Sequence, residues 1–361
     1  MTRPLPRPDL ANLSGYHSPQ LDVSVRLNTN ESPFPPPPAF VDAWVDELRA
    51  ADLNRYPDRG AEQLRFGIAN HLGQPHERVF AANGSNEVLQ TLLLTYGGPD
   101  RRALVFEPTY ALHAHIARIT GTPVVTGHRD DQFGIDLANA LELIATENPD
   151  IVFICSPNNP SGTVEPLAAI AAIVDAAPGL VIVDEAYGEF APESALQLVD
   201  DERALVVTRT YSKVWSLAAL RLGFAVGPQW LIDELDKVVL PYHLDVATQA
   251  AGRMALQYVD EMQARVHHLV EERERIFAAL NDEPLVDVFP SGANFLLFRC
   301  TTGGRAVWDG LVARGVLVRD FSAWPGVEDC LRVTVGTPEE NDRFLSSLTE
   351  VLRESTDHVW N

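Results

Sequence analysis

The chain reads Arg209-Thr210-Tyr211-Ser212-Lys213, and Arg221 follows that lysine by eight positions, within Leu220-Arg221-Leu222-Gly223-Phe224. Two further stretches lie upstream, Ser156-Pro157-Asn158-Asn159-Pro160-Ser161-Gly162 and Val183-Asp184-Glu185-Ala186-Tyr187. Each stretch alone has an ordinary interpretation, since a lysine after a polar run is usually a solvated surface residue and Asn-Pro-Ser-Gly strings are usually turns. The order and spacing of the four stretches together indicate a single active site.

Lys213 and Asp184 are the residues on which the predicted chemistry depends. Pyridoxal phosphate requires a lysine that forms a Schiff base and a carboxylate that pairs with its pyridinium nitrogen. The apolar run at 180–183 predicts a buried parallel strand. Asp184 then falls at the carboxyl end of that strand, where open α/β sheets bind ligands. We therefore expect Lys213 to carry the cofactor and Asp184 to keep its ring nitrogen protonated.

A candidate phosphate site precedes an apolar run at 88–94. The stretch Asn83-Gly84-Ser85-Asn86-Glu87 is typical of a helix N-terminus, and the free N–H groups of such a terminus bind anions. A plain helix cap is the alternative interpretation. Arg221 would add a fixed, bidentate charge that suits phosphate.

Strands and helices alternate along most of the chain. Strand-like runs occur at 79–81, 103–106, 123–126, 151–154, 180–183, 204–208 and 222–226. Their alternation with helical patterns predicts an α/β fold with a mostly parallel seven-stranded sheet and helices on both faces. A long helix is predicted at 246–280, followed by strands near 286–288, 294–298, 316–319 and 331–335. We assign residues 1–38 to an irregular arm and connector, 39–245 to a large cofactor-binding domain and 246–361 to a small α+β domain.

The composition excludes several classes of function. The chain has 28 basic and 50 acidic residues, a formal net charge of −22, which argues against nucleic acid or an anionic membrane as a partner. No run of about 18 apolar residues predicts a membrane span, and no apolar signal segment opens the sequence. The three cysteines, Cys155, Cys300 and Cys330, lack metal-ligand spacing. We therefore expect no metal site and a reducing, cytoplasmic location.

Taken together, these motifs resemble those of the histidinol-phosphate aminotransferases, and the resemblance extends over nearly the whole chain. It implies a pyridoxal-phosphate enzyme of fold type I, with a large and a small domain. Asn159 and Tyr187 are implied to hydrogen-bond the O3′ atom of the cofactor, and Tyr110 to stack on its ring. The residues implied to hold the cofactor phosphate are Gly84, Ser85, Asn86, Thr210, Ser212 and Arg221.

The resemblance also implies how substrate is bound. Arg332 matches the arginine that binds a substrate carboxylate or phosphate, and Arg319 matches a second phosphate-binding arginine. Tyr16 and Asn30 match residues beside the substrate. The implied reaction, a step of histidine biosynthesis, converts histidinol phosphate and 2-oxoglutarate to imidazole-acetol phosphate and glutamate. It proceeds in two ping-pong half-reactions through the Lys213 Schiff base, with the freed lysine as proton carrier and its pKa lowered by cationic neighbours.

Tyr56 predicts a homodimer. Its stretch, Asn54-Arg55-Tyr56-Pro57-Asp58, resembles a segment that reaches into the neighbouring subunit and contacts the cofactor phosphate there. A tyrosine fixed in a turn before proline is the alternative interpretation. The resemblance implies two active sites shared across a two-fold axis.

The chain departs from the family between Lys213 and Arg221, where Ser216 and Ala219 stand in place of glycines and take strained backbone angles less freely.

Three alternative functions stay open: an aromatic amino-acid aminotransferase, a threonine-phosphate decarboxylase and a pyridoxal-phosphate-binding regulator. Arg319 favours a phosphorylated substrate over an aromatic amino acid. The decarboxylase would release CO₂ without an oxo acid, and the regulator would need a DNA-binding module, for which no basic region precedes Thr29.

Overall fold

The structure is a computed structural model that describes residues 3–10, 13, 15 and 20–357. Two β-sheets organise it. Among the described residues the strands are β1 (Val25–Leu27), β2 (Val79–Ala82), β3 (Ala103–Glu107), β4 (Val124–His128), β5 (Ile151–Cys155), β6 (Leu180–Asp184), β7 (Leu205–Thr210), β8 (Gly223–Val226), β9 (Val286–Val288), β10 (Phe295–Cys300), β11 (Val316–Asp320) and β12 (Cys330–Thr334).

Helices cover both faces of the large sheet and one side of the small one. In the described part of the chain the α-helices are α1 (Pro38–Ala50), α2 (Glu62–Leu72), α3 (Gly84–Tyr96), α4 (Leu112–Ile119), α5 (Leu137–Glu147), α6 (Leu167–Ala176), α7 (Gln229–Val238), α8 (Val246–Ala255), α9 (Val259–Asn281), α10 (Gly304–Ala313) and α11 (Pro338–Asp357). None of these helices has the length and apolarity needed to cross a bilayer.

The large sheet has the strand order β2-β8-β7-β6-β5-β3-β4. β8 runs antiparallel to both of its neighbours, and the remaining pairs are parallel. Every residue of β5 and β6 is buried, as expected for central strands covered on both faces. All seven predicted strands form, with small differences at their ends. The carboxyl ends of β5, β6 and β7 therefore meet at one edge.

The small sheet has the order β1-β11-β12-β10-β9, in which β1 pairs parallel with β11 and the other pairs are antiparallel. The prediction that the arm is irregular up to about residue 30 was wrong. Val25 and Leu27 are buried on either side of exposed Arg26, a pattern too short to predict a strand by itself. The strand forms because the edge of β11 supplies its hydrogen-bond partners, and it brings residues 28–31 to the junction of the two sheets.

The prediction of a single long helix at 246–280 was also wrong. A 3-10 turn at Leu256–Tyr258 separates α8 from α9. α8 packs on α1 and α2, whereas α9 packs on β9, β10 and α11. The apolar pattern continues through the turn because each helix buries a face of its own, so periodicity alone does not reveal the break. The domain boundary near residue 246 stays a prediction.

The hydrophobic core has two main parts. One lies between the large sheet and helices α3, α4 and α7, and it includes Phe80 and Phe153. The other covers the opposite face of the large sheet and continues into the small sheet. Tyr187 and Phe295 join the two sheets within it, with their rings edge to face and centroids 5.0 Å apart. This shared core fixes the small sheet against the carboxyl edge of the large one.

Leu27→Ala tests how firmly the arm is anchored. The side chain of Leu27 is only 2% exposed, so its truncation should lower the free energy of unfolding by about 2–5 kcal/mol, as measured by chemical denaturation followed by tryptophan fluorescence. Leu5→Ala, at a side chain that is 89% exposed, is the matched control. Equal stability of the two variants would contradict the anchoring.

Candidate active site

A cavity of about 390 Å³ opens at the carboxyl ends of β5, β6 and β7. Arg332 of β12 and the segment that follows β1 line it from the opposite side. The predicted site residues that line it are Asn30, Ser85, Asn86, Tyr110, Asn159, Asp184, Tyr187, Thr210, Ser212, Lys213, Arg221 and Arg332. Parallel strands end at the same edge of a sheet, which explains how residues distant in sequence meet here.

Lys213 projects into this cavity, and its Nζ donates a hydrogen bond to the Thr29 carbonyl at 3.0 Å. Burial lowers the pKa of Lys213 to about 7; the charges of Arg332 and Arg221 act in the same direction, and Glu31 opposes them. Burial is thus a larger cause than the cationic neighbours that the sequence analysis proposed. Near neutral pH much of this lysine is an uncharged amine, the form that attacks a carbonyl. The chain contains only one other lysine, Lys237, whose side chain is 65% exposed.

Asp184 is the last residue of β6 and is buried. Its Oδ1 accepts a hydrogen bond from the Ala186 N–H at 3.1 Å, and its Oδ2 lies 2.8 Å from Nε2 of His113. His113 is fully buried and stacks on Phe153, with ring centroids 4.8 Å apart. The carboxylate is therefore held in a fixed orientation by a residue that the sequence analysis missed. His113 lies in the first turn of α4, three residues after Tyr110, and this closeness to a predicted site residue was the available signal.

His113, Cys155 and Asp184 also bring three potential metal-ligand atoms within 4.8 Å of one another. Burial raises the pKa of the Cys155 thiol, which keeps it protonated and makes it a poor ligand. We therefore assign this group to the floor of an organic-cofactor site.

The first turn of α3 lies against Arg221 and the start of β8. Gly84 has φ of +79°, and a Cβ there would lie 2.7 Å from Nη2 of Arg221. A Cβ at Gly223 would lie 2.2 Å from the backbone nitrogen of Ser85. Both positions therefore require glycine. Arg221 also donates to the Ser212 hydroxyl at 3.2 Å, so a guanidinium, a hydroxyl and a helix N-terminus converge on one small space.

The Asn83 side chain does not cap α3. Instead, Oε2 of Glu87 accepts hydrogen bonds from the Asn83 backbone N–H at 2.6 Å and from its side-chain amide at 2.8 Å. Ser85 and Asn86, in the first turn of α3, line the cavity. This arrangement favours the anion-binding interpretation over the plain cap.

Tyr187 lies at the centre of a polar network. Its hydroxyl accepts a hydrogen bond from Nδ2 of Asn30 at 2.9 Å and lies 3.5 Å from Nδ2 of Asn159. Burial raises the pKa of Tyr187 to about 12, so the hydroxyl stays protonated and remains a donor. On the opposite wall the Tyr110 hydroxyl donates to Oδ1 of Asn86 at 3.3 Å.

Arg332 and Arg319 are direct partners in the register of β12 and β11. Arg332 donates to Oδ1 of Asn159 and to the Asn28 carbonyl, the latter at 2.9 Å. Both guanidinium groups lie near the Phe321 ring, at 5.4 Å for Arg332 and 5.8 Å for Arg319. Both arginines are buried, although Arg319 does not itself line the cavity. Two like charges directly opposite each other on a sheet repel, and an anion bound beside them would relieve that repulsion.

These residues fit pyridoxal phosphate. The cavity offers a neutral amine at Lys213, a buried carboxylate at Asp184 and a phosphate cradle at the start of α3, where a Cβ on Gly84 would fill the space beside Arg221. The sequence profile of the family described as aminotransferase class I and II matches residues 23–348. The chain belongs to the class I and II aminotransferases. The predicted fold type I architecture, enzyme class and pyridoxal-phosphate cofactor are thereby confirmed.

This aminotransferase is similar to histidinol-phosphate aminotransferases of several bacteria. It is 45% identical to that of Corynebacterium diphtheriae over 358 residues, which is 96% of each chain. It is 47% identical to that of Nocardia farcinica over 348 residues, 93% of this chain and 89% of the relative. Among solved structures, that of histidinol-phosphate aminotransferase from Sinorhizobium meliloti in complex with pyridoxal-5′-phosphate superposes with a TM-score of 0.85 at 25% identity, covering 92% of each chain.

Among the residues that the structure describes, three predicted site residues, Gly84, Tyr56 and Arg319, do not line this cavity. Tyr56 is 80% exposed and stacks on Tyr242, with ring centroids 4.4 Å apart. Tyr16 lies outside the residues that the structure describes. The role proposed for Tyr56 in a neighbouring subunit is consistent with this exposure and stays a prediction.

The loop after Lys213 bears the strain expected from its departure from the family. Ser216 adopts a left-handed backbone with φ of +57°, whereas Ala219 does not. The hydroxyl of Ser216 lies 3.0 Å from that of Ser32 and 3.4 Å from Nη1 of Arg265. These contacts offset the strain and attach the loop to the segment before α1.

Lys213→Ala tests the assignment of the Schiff-base lysine. The variant should lose the covalent link to pyridoxal phosphate and its visible absorbance. Lys237 cannot replace Lys213, because its side chain is exposed and does not line the cavity. Proton transfer alone should slow by roughly 10²–10⁴-fold. Borohydride reduction followed by peptide mass spectrometry measures the link directly, with Lys237→Ala as the matched control. A reducible link that persists in Lys213→Ala would contradict the assignment.

Proposed function

We propose that this aminotransferase interconverts histidinol phosphate and imidazole-acetol phosphate, with 2-oxoglutarate and glutamate as the second pair, in histidine biosynthesis. The relatives described above are histidinol-phosphate aminotransferases, and this chain matches them over 96% and 89% of their lengths. The structural observation that carries the proposal is the register pair of Arg319 and Arg332.

The arginine pair suits a phosphorylated substrate. Histidinol phosphate has a phosphate ester where an amino acid has its α-carboxylate, so it needs more positive charge at that end. Arg332 lines the cavity, and Arg319 lies beside it on the neighbouring strand. Fork-shaped guanidinium groups bind phosphate oxygens in pairs. One arginine suffices for the carboxylate of glutamate.

The proposed reaction uses the geometry of the cavity. Bound pyridoxal phosphate supplies an electron sink for the bond that breaks at the substrate α-carbon. Asp184, oriented by His113, presents the negative charge that keeps the ring nitrogen protonated. Nζ of Lys213 takes the proton from the α-carbon and later releases it, and a pKa of about 7 suits both transfers near neutral pH. Arg332 holds the substrate anion while this happens.

Two alternatives from the sequence are less well supported. An aromatic amino-acid substrate carries one carboxylate and an uncharged ring, so Arg332 alone would bind its charged end. A threonine-phosphate decarboxylase also binds a phosphorylated amine, and it is separated by its product, since it releases CO₂ and needs no oxo acid.

A homodimer with shared sites and a cytoplasmic location complete the proposal. Leu53, Tyr56 and Leu240 are apolar side chains exposed by 74%, 80% and 76%, and Tyr242 stacks on Tyr56. A second copy of this chain would cover that surface. The three cysteines are all buried and unpaired, which is typical of a reducing compartment.

Arg319→Ala tests the substrate. Removal of one arginine from a buried charge pair typically costs about 2–5 kcal/mol, or roughly thirtyfold to several thousandfold in kcat/KM. The loss should be large for histidinol phosphate and smaller for glutamate, because Arg332 alone holds a carboxylate. Single-turnover absorbance of each half-reaction measures both.

Arg332→Ala should slow both half-reactions. Arg26→Ala, at an exposed arginine of the same sheet, should slow neither. Equal losses for the two substrates in Arg319→Ala would remove the structural reason for preferring histidinol phosphate. A wild-type enzyme that reacts faster with phenylalanine would remove it directly.

Subunit mixing tests the shared sites. Lys213→Ala and Tyr56→Ala subunits should each be impaired, and their heterodimer should regain one intact site built from Lys213 of one chain and Tyr56 of the other. Mixing Lys213→Ala with Arg221→Ala should restore nothing, because both residues line the same cavity of one chain. An active monomer in sedimentation would contradict the dimer.

A further inference from the structure

The segment at 28–31 spans the cavity from one substrate-binding group to the next. The Asn28 carbonyl accepts a hydrogen bond from Nη2 of Arg332 at 2.9 Å. The carbonyl of the following residue, Thr29, accepts one from Nζ of Lys213 at 3.0 Å. The segment therefore passes the anion-binding arginine first and the amine-exchanging lysine second.

Asn30 locks this segment in place. Its backbone is left-handed, with φ of +54°. Its side chain donates to the Tyr187 hydroxyl at 2.9 Å and accepts from the Thr334 hydroxyl at 3.0 Å. Its carbonyl accepts from Nδ2 of Asn294 at 3.2 Å. Contacts to both sheets leave the chain little freedom at this point, so the position of the next residue is determined.

Glu31 is that next residue, and its side chain lines the cavity at the exposed end of the segment. Oε2 of Glu31 accepts a hydrogen bond from the Thr29 hydroxyl at 2.9 Å, which orients the carboxylate and leaves acceptor capacity for a ligand N–H. Asp184 is the other carboxylate that lines this cavity. It is buried and already accepts from His113 and from a backbone N–H.

The order of these groups matches the order of groups in the proposed substrate. Histidinol phosphate carries its phosphate at one end, its amine in the middle and an imidazole N–H at the other end. Along the chain, the segment contacts Arg332 at Asn28 and Lys213 at Thr29, and it then places Glu31 in the cavity wall. We infer that Glu31 recognises the imidazole ring, with its carboxylate accepting a hydrogen bond from the ring N–H. This inference rests on the proposed function and deepens it, since it names a specificity residue at the end opposite the arginines.

Glu31→Gln tests the inference against a substrate that lacks the ring N–H. The probes are histidinol phosphate and 2-amino-3-phenylpropyl phosphate, which keeps the amine and the phosphate and replaces imidazole by phenyl. The ratio of their kcat/KM values, from single-turnover absorbance of the holoenzyme, should fall by about tenfold or more in Glu31→Gln, because the ring N–H of one substrate alone then meets a neutral amide in place of a charged acceptor. Thr29→Val, which removes only the hydroxyl that orients Glu31, should lower the same ratio by a smaller factor.

Two outcomes would overturn the inference while leaving the proposed function intact. One is an unchanged ratio in Glu31→Gln when the wild type uses histidinol phosphate well. The other is an equal fall for both probes, accompanied by a shift in the pH dependence of the bound-cofactor absorbance, since Glu31 would then act by raising the pKa of Lys213. A wild-type enzyme that does not use histidinol phosphate but aminates another oxo compound would overturn both the function and the inference.

Discussion

Three hydrogen bonds to residues 28–30 connect groups of the two sheets around the cavity, and the geometry of the site depends on them. They join the Asn28 carbonyl to Arg332, the Thr29 carbonyl to Lys213 and the Asn30 side chain to Tyr187. Strand β1 supplies the anchor for this segment, because it pairs with the edge of the small sheet. Without that strand the arginine of the small sheet and the lysine of the large sheet would lose their common partner.

Charge is the second constraint on this site. Lys213, Arg221 and Arg332 face one cavity, with Arg319 behind them, in a chain whose formal net charge is −22. Like charges that lie close together repel, and bound anions such as a cofactor phosphate would reduce that repulsion. Burial is the largest cause of the lowered pKa of Lys213, and the charges of Arg332 and Arg221 add to it. An anion bound to Arg332 would therefore raise the pKa of Lys213.

The regular elements of the large sheet were predictable because each depends on local pattern. The continuous apolar runs of β5 and β6 indicate strands buried on both faces, and their alternation with helices indicates parallel pairing. The prediction failed where a strand has no pattern of its own, as in β1, and where one pattern continues through a break, as between α8 and α9. In both places the partner element, rather than the local sequence, decides the structure.

The sequence by itself determined the chemical groups of the site: a lysine, an aspartate at a strand end, a glycine-led helix and three arginines at characteristic positions. It also determined the family, since order and spacing are properties of the linear chain. Only the tertiary structure decided which groups act together. The hydrogen-bonded pairs His113–Asp184, Lys213–Thr29 and Arg332–Asn28 are separated by 71, 184 and 304 positions in the sequence. No periodicity extends over such distances, because the packing of α4 on the large sheet sets the first pair and the packing of the two sheets sets the other two.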